Sequence, residues 1–381
     1  MVKTTAAGLI RLVLLSAAGV PGLAERPSAV VWPATVQPFF LSALSNALTE
    51  KEADYIARFP VAVINHKQSG QDTPRNLNAE PKQLAAIAAI KRANASCKTL
   101  FYLNSQNDLP ALNLHKEFVA AAGAWWLKQD DGEYVWENKT AQSAPDYTFD
   151  FTVSAAREAW LSAALAALNN TFVDGIFVDS AKNVSYKHVS ETRMTAWNEG
   201  HAAMIEELRK RSDSTKLIVL NNALDGAGVG QLFVRWGESP DHDNLTIPQD
   251  IARMQQISSA GLVSFARSGG VKPGSGDKPD PQTCAAGLAQ MLCALNMPGN
   301  TFFSCAVDFR SDHWMSLLDE TIYSLPLGAP MTASAVRHHP TSSLLTRAFS
   351  SGTVAIIDPA TPHEGCVKWA EGTITGTCPE P

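Results

Sequence analysis

From residue 49 onward, apolar runs of strand length alternate with stretches whose apolar positions recur every three to four residues, the spacing of a helix face. Thr49-Glu50-Lys51-Glu52 has the form of a capping box and predicts a short helix leading into the first strand. The pattern predicts eight strands: 59–64 (FPVAVI), 99–103 (TLFYL), 124–127 (AWWL), 175–178 (GIFV), 216–220 (KLIVL), 232–236 (LFVRW), 261–265 (GLVSF) and 301–304 (TFFS). Helices are predicted at 81–95, 114–122, 154–168, 192–211, 248–258 and 282–295. Unbroken apolar strands separated by helices imply parallel strands buried on both faces. Eight such units over about 250 residues predict an α/β fold, a (β/α)8 TIM barrel. One connection fits poorly, because 221–231 is short and glycine-rich and would join the fifth and sixth strands by a loop. After about residue 325 the texture turns to short alternating segments, and RAFSSGTVAIIDP (347–359) reads as a hairpin turning at Ser350-Ser351-Gly352. The expected organisation is a signal peptide at 1–24, the barrel with an N-terminal extension at 25–325, and a small β-rich region at 326–381.

Composition narrows the setting. A chain of 381 residues, 45% apolar and 18% charged, can bury a large core. A formal charge of -6 without any basic block gives no footprint for nucleic acid or acidic membranes. The N-terminus carries Lys3 and Arg11, an apolar run from Leu12 to Val20, and Gly22-Leu23-Ala24, the layout of a signal peptide rather than of a membrane anchor. N-x-S/T occurs at Asn94, Asn138, Asn169, Asn183 and Asn244, each a possible glycan acceptor in a secreted chain. Six cysteines form an even set suited to disulfides. Cys366 and Cys378 lie close together in a turn-rich tail and plausibly pair, whereas Cys284 and Cys293 on one helix would stand about 13 Å apart, too far to bridge. Cys97 and the remaining thiols read as disulfide partners.

Chemistry is expected at the carboxyl ends of the strands, where barrel loops surround a pocket. Nearly every predicted strand ends in polar side chains, a ring suited to a ligand with many hydroxyls. Asp179 ends the fourth strand and Glu238 the sixth. Strand side chains alternate faces, so Phe177 and Asp179 share one side of their strand while Trp236 and Glu238 share one side of theirs. Such a pair suits glycosidic cleavage, with one carboxyl protonating the leaving oxygen and the other attacking the anomeric carbon or activating water. Arg235 would then point to the helix layer, unless a bulge near Trp236-Gly237 changes the parity. The plainer meaning of Asp179 is a helix N-cap, and of Glu238 a solvated loop acid. Asp174 reads as structural, an Asp-Gly turn into the strand. His66, Asn104, Trp126, Lys128, Asp130, Ser180, Asn221, Trp236 and Arg267 are the expected substrate contacts, the tryptophans by stacking on a sugar face.

Other chemistries find little. H-E-x-x-H, G-x-S-x-G and Walker patterns are missing, and DGAGVG (225–230) leads into a strand instead of the helix a dinucleotide loop needs. Asp241-His242-Asp243 is more simply a surface loop than a metal site, so no metal or cofactor is expected.

These residues also carry a resemblance. DGIFVDS, preceded by YTFDFTVSAAREAWL, resembles the barrel glycosidases related to α-galactosidases, in particular hypothetical glycosyl hydrolase family 15. The matching positions are Asp150, Arg157 and Trp160, Asp174 and Asp179, Glu238, Leu327-Gly328-Ala329-Pro330, and Arg347, Phe349 and Gly352, while Asp358 stands where such hairpins often have Asn. The resemblance implies a TIM-type barrel with a C-terminal β piece, Asp179 as nucleophile or base and Glu238 as acid. The expectation is a secreted glycoside hydrolase acting on an oligo- or polysaccharide. The alternative is a carbohydrate-binding barrel without catalysis.

Overall fold

The computed structural model describes residues 33–44, 47–65, 79–137, 145–221, 230–234, 246–259, 262–268, 280–295, 301–305, 321–332, 336–337, 343–361 and 364–379. Its contacts divide the chain into Met1–Val31 and Trp32–Pro381, and the described residues all belong to the second.

The first half runs β1 (Phe39–Ala43), α1 (Glu50–Ile56), β2 (Val61–Asn65), α2 (Ala79–Ala93), β3 (Lys98–Asn104), β4 (Asn107–Asp108), α3 (Leu114–Ala120), β5 (Trp136–Glu137), β6 (Asp146–Thr148), α4 (Ser154–Leu168), β7 (Gly175–Asp179) and α5 (Glu191–Arg211). It continues with β8 (Leu217–Asn221), β9 (Gly230–Val234), α6 (Ile247–Ser259), β10 (Val263–Ser268), α7 (Pro281–Ala294) and β11 (Thr301–Cys305). Eight strands form one sheet in the order β1-β2-β3-β7-β8-β9-β10-β11, every pair parallel. The fold is α/β, as the alternation predicts. At its two ends, Pro38 bridges Phe303 in parallel and the Phe303 amide donates to the Gln37 carbonyl at 2.8 Å, while the Phe39 ring meets Phe265 of β10 edge-on at 5.1 Å.

One strand assignment needs correcting. Residues 124–127 are not in the parallel sheet; they lie in a turn, and only Trp126 makes a bridge, antiparallel to Phe149. Four residues with two adjacent tryptophans carry no period that separates strand from packed loop. The eighth strand is β1, whose FFLSA lies ahead of the alternating region that begins at residue 49 and follows Pro33 and Pro38. The Thr49 capping box forms as predicted, with Glu52 Oε2 accepting from the Thr49 amide at 2.7 Å.

Asp174 fixes the amino end of β7. Lys91 Nζ approaches its Oδ2 at 2.6 Å and the Thr99 amide donates to it at 2.8 Å. Burial pushes this carboxyl up, but bonding from Lys91 and Thr99 outweighs it and holds the group below its ordinary value. Gly175 follows because a Cβ there would stand 2.1 Å from the Leu217 carbonyl oxygen of the neighbouring strand.

The last strands, β12 (Val336–Arg337), β13 (Leu345–Ala348), β14 (Val354–Ile357), β15 (Gly365–Lys368) and β16 (Ile374–Thr377), form a five-stranded antiparallel sheet. The β13–β14 hairpin turns at Gly352, whose φ of +96° suits glycine. Helix α7 is mostly apolar and buried from Thr283 to Ala294, because this second sheet covers the side that the strands leave open. Arg347 is buried beneath it and donates to the carbonyls of Cys293 and Thr332, each at 2.8 Å. Gly328 and Ser350 join the Leu-Gly-Ala-Pro stretch to the hairpin, with Ser350 Oγ accepting from the Ala329 amide at 3.0 Å.

Disulfides join Cys366 to Cys378, as the spacing suggests, and Cys284 to Cys305. Cys97 and Cys293 are free and buried, contrary to the expectation that every thiol is paired. Among the described residues no helix is long and apolar enough to cross a membrane.

Candidate active site

Strand β7 delivers Asp179 at its carboxyl end by alternation. Gly175, Phe177 and Asp179 share one face, and the register places Phe177 opposite Tyr102 and Asp179 opposite Asn104 on β3. On the other side Phe177 pairs with Val219 of β8, which puts Asn221 on the same face. Four donors converge on the carboxylate. Tyr102 Oη donates to Oδ2 at 2.5 Å and Asn104 Nδ2 approaches the same oxygen at 3.4 Å. Asn221 Nδ2 donates to Oδ1 at 2.6 Å, joined by the Ser180 amide at 2.9 Å. Ser180 has φ +58°, a left-handed conformation costing a non-glycine residue of order 1 kcal/mol or more. Asp179 does not cap a helix, since the residue at the N-cap of the next one, α5, is Ser190.

The strand ends are braced from behind. Trp160 of α4 donates through Nε1 to the Asn104 carbonyl at 2.9 Å, so the tryptophan of the Arg-x-x-Trp pattern supports the site without lining it. The Asp179 carbonyl accepts from both the amide and the hydroxyl of Ser105, each at 2.9 Å. His201 Nε2 lies 3.0 Å from that hydroxyl. Because the single Ser105 hydroxyl proton goes to Asp179, Nε2 must carry the imidazole proton. His201 is sealed against Phe151 and Trp197, and burial drives it down to about 4.

A small sheet, β4-β6-β5, stands beside these ends. Register places Asn107 opposite Thr148 and Glu137 opposite Asp146, one polar face, with Asp108, Tyr147 and Trp136 on the other. On the polar face Asn107 Nδ2 donates to Glu137 at 2.9 Å, and Gln106 donates to Tyr186 and reaches Glu137 at 3.4 Å. Asn104 ties this group to Asp179, because its Oδ1 accepts from the Gln106 and Asn107 amides at 2.8 and 2.7 Å.

Of the expected contacts, Asn104, Ser180 and Asn221 gather around Asp179. Arg267 is the penultimate residue of β10, on the face of Phe265. Trp126, Lys128 and Asp130 belong to the segment that is not a parallel strand. Trp126 donates to Asp108 at 2.8 Å and stacks on Tyr147 at 4.3 Å. Lys128 Nζ lies 5.1 Å from the centre of the Tyr134 ring, and Asp130 accepts from the Ser190 amide at 3.3 Å. His66, Trp236 and Glu238 lie outside the described residues, as do Arg235, Asn138, Asn244, Asp241-His242-Asp243 and 222–229. Asp150 receives Arg193 at 3.2 Å and turns the chain into α4. Tyr102, Gln106 and Glu137 were not expected. Alternation held the signal for Tyr102, two residues before Asn104, but a tyrosine inside an apolar run reads as core.

The fold and site thus define an α/β protein with an acid, held by amides and a phenol, at the carboxyl end of a parallel strand. Residues 91–353, more than half of the chain, match the model described as Hypothetical glycosyl hydrolase family 15, and the chain belongs to that family. No curated protein matches it in sequence. Among solved structures it resembles a GH31 family sulfoquinovosidase from E. rectale, with TM-score 0.51 and 11% identity, over 87% of this chain and 56% of that one. It also resembles alpha-L-fucosidase isoenzyme 2 from Paenibacillus thiaminolyticus, with TM-score 0.50 and 9% identity, over 76% of this chain and 49% of that one. At such identities the likeness concerns the fold.

Proposed function

We propose that the chain is a secreted glycoside hydrolase that cleaves O-glycosidic bonds in an oligo- or polysaccharide, with Asp179 as nucleophile or base and Glu238 as acid. The observation that carries this reading is the grip on Asp179. Donors reach both oxygens and aim the group, which suits attack on an anomeric carbon or activation of water. Among the described residues the buried Asn221 Oδ1 has no partner, an acceptor left for a sugar hydroxyl. Asn104, Ser180 and Arg267 are the further contacts, with Trp236 and His66 completing the ring.

The active centre is read as the mouth of a closed (β/α)8 barrel. The Pro38–Phe303 bridge, which brings the start of β1 to β11, and the Phe39–Phe265 contact of β1 with β10 support closure. Two disulfides support passage through an oxidising compartment.

The test is release of reducing sugar from a panel of polysaccharides. Asp179→Asn and Glu238→Gln should each lower turnover by roughly 10³-fold, with circular dichroism unchanged. Full activity in either variant removes that residue from the mechanism. Binding by the wild-type chain with no cleavage of any panel member would select the carbohydrate-binding alternative.

A further inference from the structure

We propose that Tyr102 is a positioning residue for Asp179, clamping one carboxylate oxygen so that Asn221 and the Ser180 amide can hold the other, and so fixing the direction in which the acid presents itself. This deepens the reading of Asp179 as nucleophile or base and rests on it.

Three observations carry the inference. The phenol lies 2.5 Å from Asp179 Oδ2, the range of a charge-assisted O–H···O⁻ bond. Its ring has no freedom to leave. Tyr102 is 3% exposed and stacks on Phe177 with centroids 6.0 Å apart and planes 19° from parallel. The backbone beneath is fixed as well. Strand β2 pairs with β3 only as far as Phe101, and the next amide, that of Tyr102, donates instead to Gln83 Oε1 of α2 at 2.9 Å. Three elements, β7, α2 and β3 itself, therefore set the position of one hydroxyl.

The chemistry follows from the inventory. A phenol has one proton, and here it goes to the carboxylate. Burial pushes the Tyr102 hydroxyl well above its ordinary range, and the Asp179 charge, the bond to Asp179 and the charge of Asp146 push it further, against a smaller opposing effect of Asn104. Among the described residues these are the titratable groups acting on it. It stays a donor at neutral pH. Tyr102 also sits one rung below Asp179 in the register, so it acts through the acid instead of touching substrate.

Tyr102→Phe removes the oxygen and keeps the ring. On a polysaccharide cleaved by the wild type, kcat should fall about 10- to 100-fold, the usual loss when a partner that orients an active group is removed, with KM within about 3-fold. A readout without substrate accompanies it. In proton NMR the wild-type chain should show a low-field hydroxyl resonance that is absent in Tyr102→Phe and moves upfield in Asp179→Asn. Unchanged kcat in a folded Tyr102→Phe variant overturns the proposal, and so does a Tyr102 hydroxyl signal indifferent to Asp179→Asn. Full activity of Asp179→Asn would instead sink the catalytic reading, a separate failure. If the wild type cleaves no panel member, the resonance alone decides whether the clamp exists.

Discussion

His201 is a base held neutral by its surroundings, and that has a measurable price in acid. Its ordinary value is 6.5 and burial lowers it to about 4. A base depressed in the folded state contributes stability above its unfolded value and loses it as pH falls, here between about 6.5 and 4. The shift corresponds to about 3 kcal/mol at most. Urea midpoints should decline across that window, and the His201 ring protons should titrate near 4 by NMR; titration near 6.5 would contradict the sealed pocket. The two free thiols make a parallel case. Burial raises both Cys97 and Cys293 to about 12. An Ellman's assay should find next to no reactive thiol in the native chain and two in denaturant.

At the scale of elements, close backbone approaches set the packing. A Cβ on Gly200 of α5 would lie 2.1 Å from the carbonyl oxygen of Phe151. Gly200→Ala should therefore cost about 1–3 kcal/mol, read as a lower urea midpoint. In the second sheet the Cys366–Cys378 bridge spans a sequence separation of 12 and ties β15 to the edge strand β16. Replacing both cysteines by serine should cost about 3 kcal/mol in thermal unfolding, and reduction of the wild type, which opens Cys284–Cys305 as well, should produce a larger drop. Helices were the most legible elements. Helix α4 begins and ends where the pattern places it, at Ser154 and Leu168, because fifteen residues offer four turns of periodicity. Four-residue AWWL offered none, and it was misplaced.

Across the whole molecule, the parallel sheet was legible because strands buried on both faces must be apolar along their length. Strand β1 was not, since FFLSA lies ahead of the first helical pattern, which opens at Thr49, and so stands outside the alternation. The site was half legible. Asp179, Asn104, Ser180 and Asn221 sit at strand ends and could be found by walking to them. Tyr102 and Gln83 lie inside the elements, and Glu137 is brought in by a two-residue strand, so only tertiary contacts reveal them.

The five residues of β7 join two carboxylates of opposite purpose. Asp174 is riveted to Lys91 and Thr99 at one end, and Asp179 is aimed by Tyr102 and Asn221 at the other. Asp174→Asn should lower the melting temperature, at a cost of about 2 kcal/mol, and leave sugar release unchanged; Asp179→Asn should lower sugar release and leave the melting temperature unchanged. A short ribbon with a fixed carboxylate at one tip and an aimed one at the other lets robustness and, on the proposed reading of Asp179, reactivity drift apart over evolutionary time, so one can be engineered without disturbing the other.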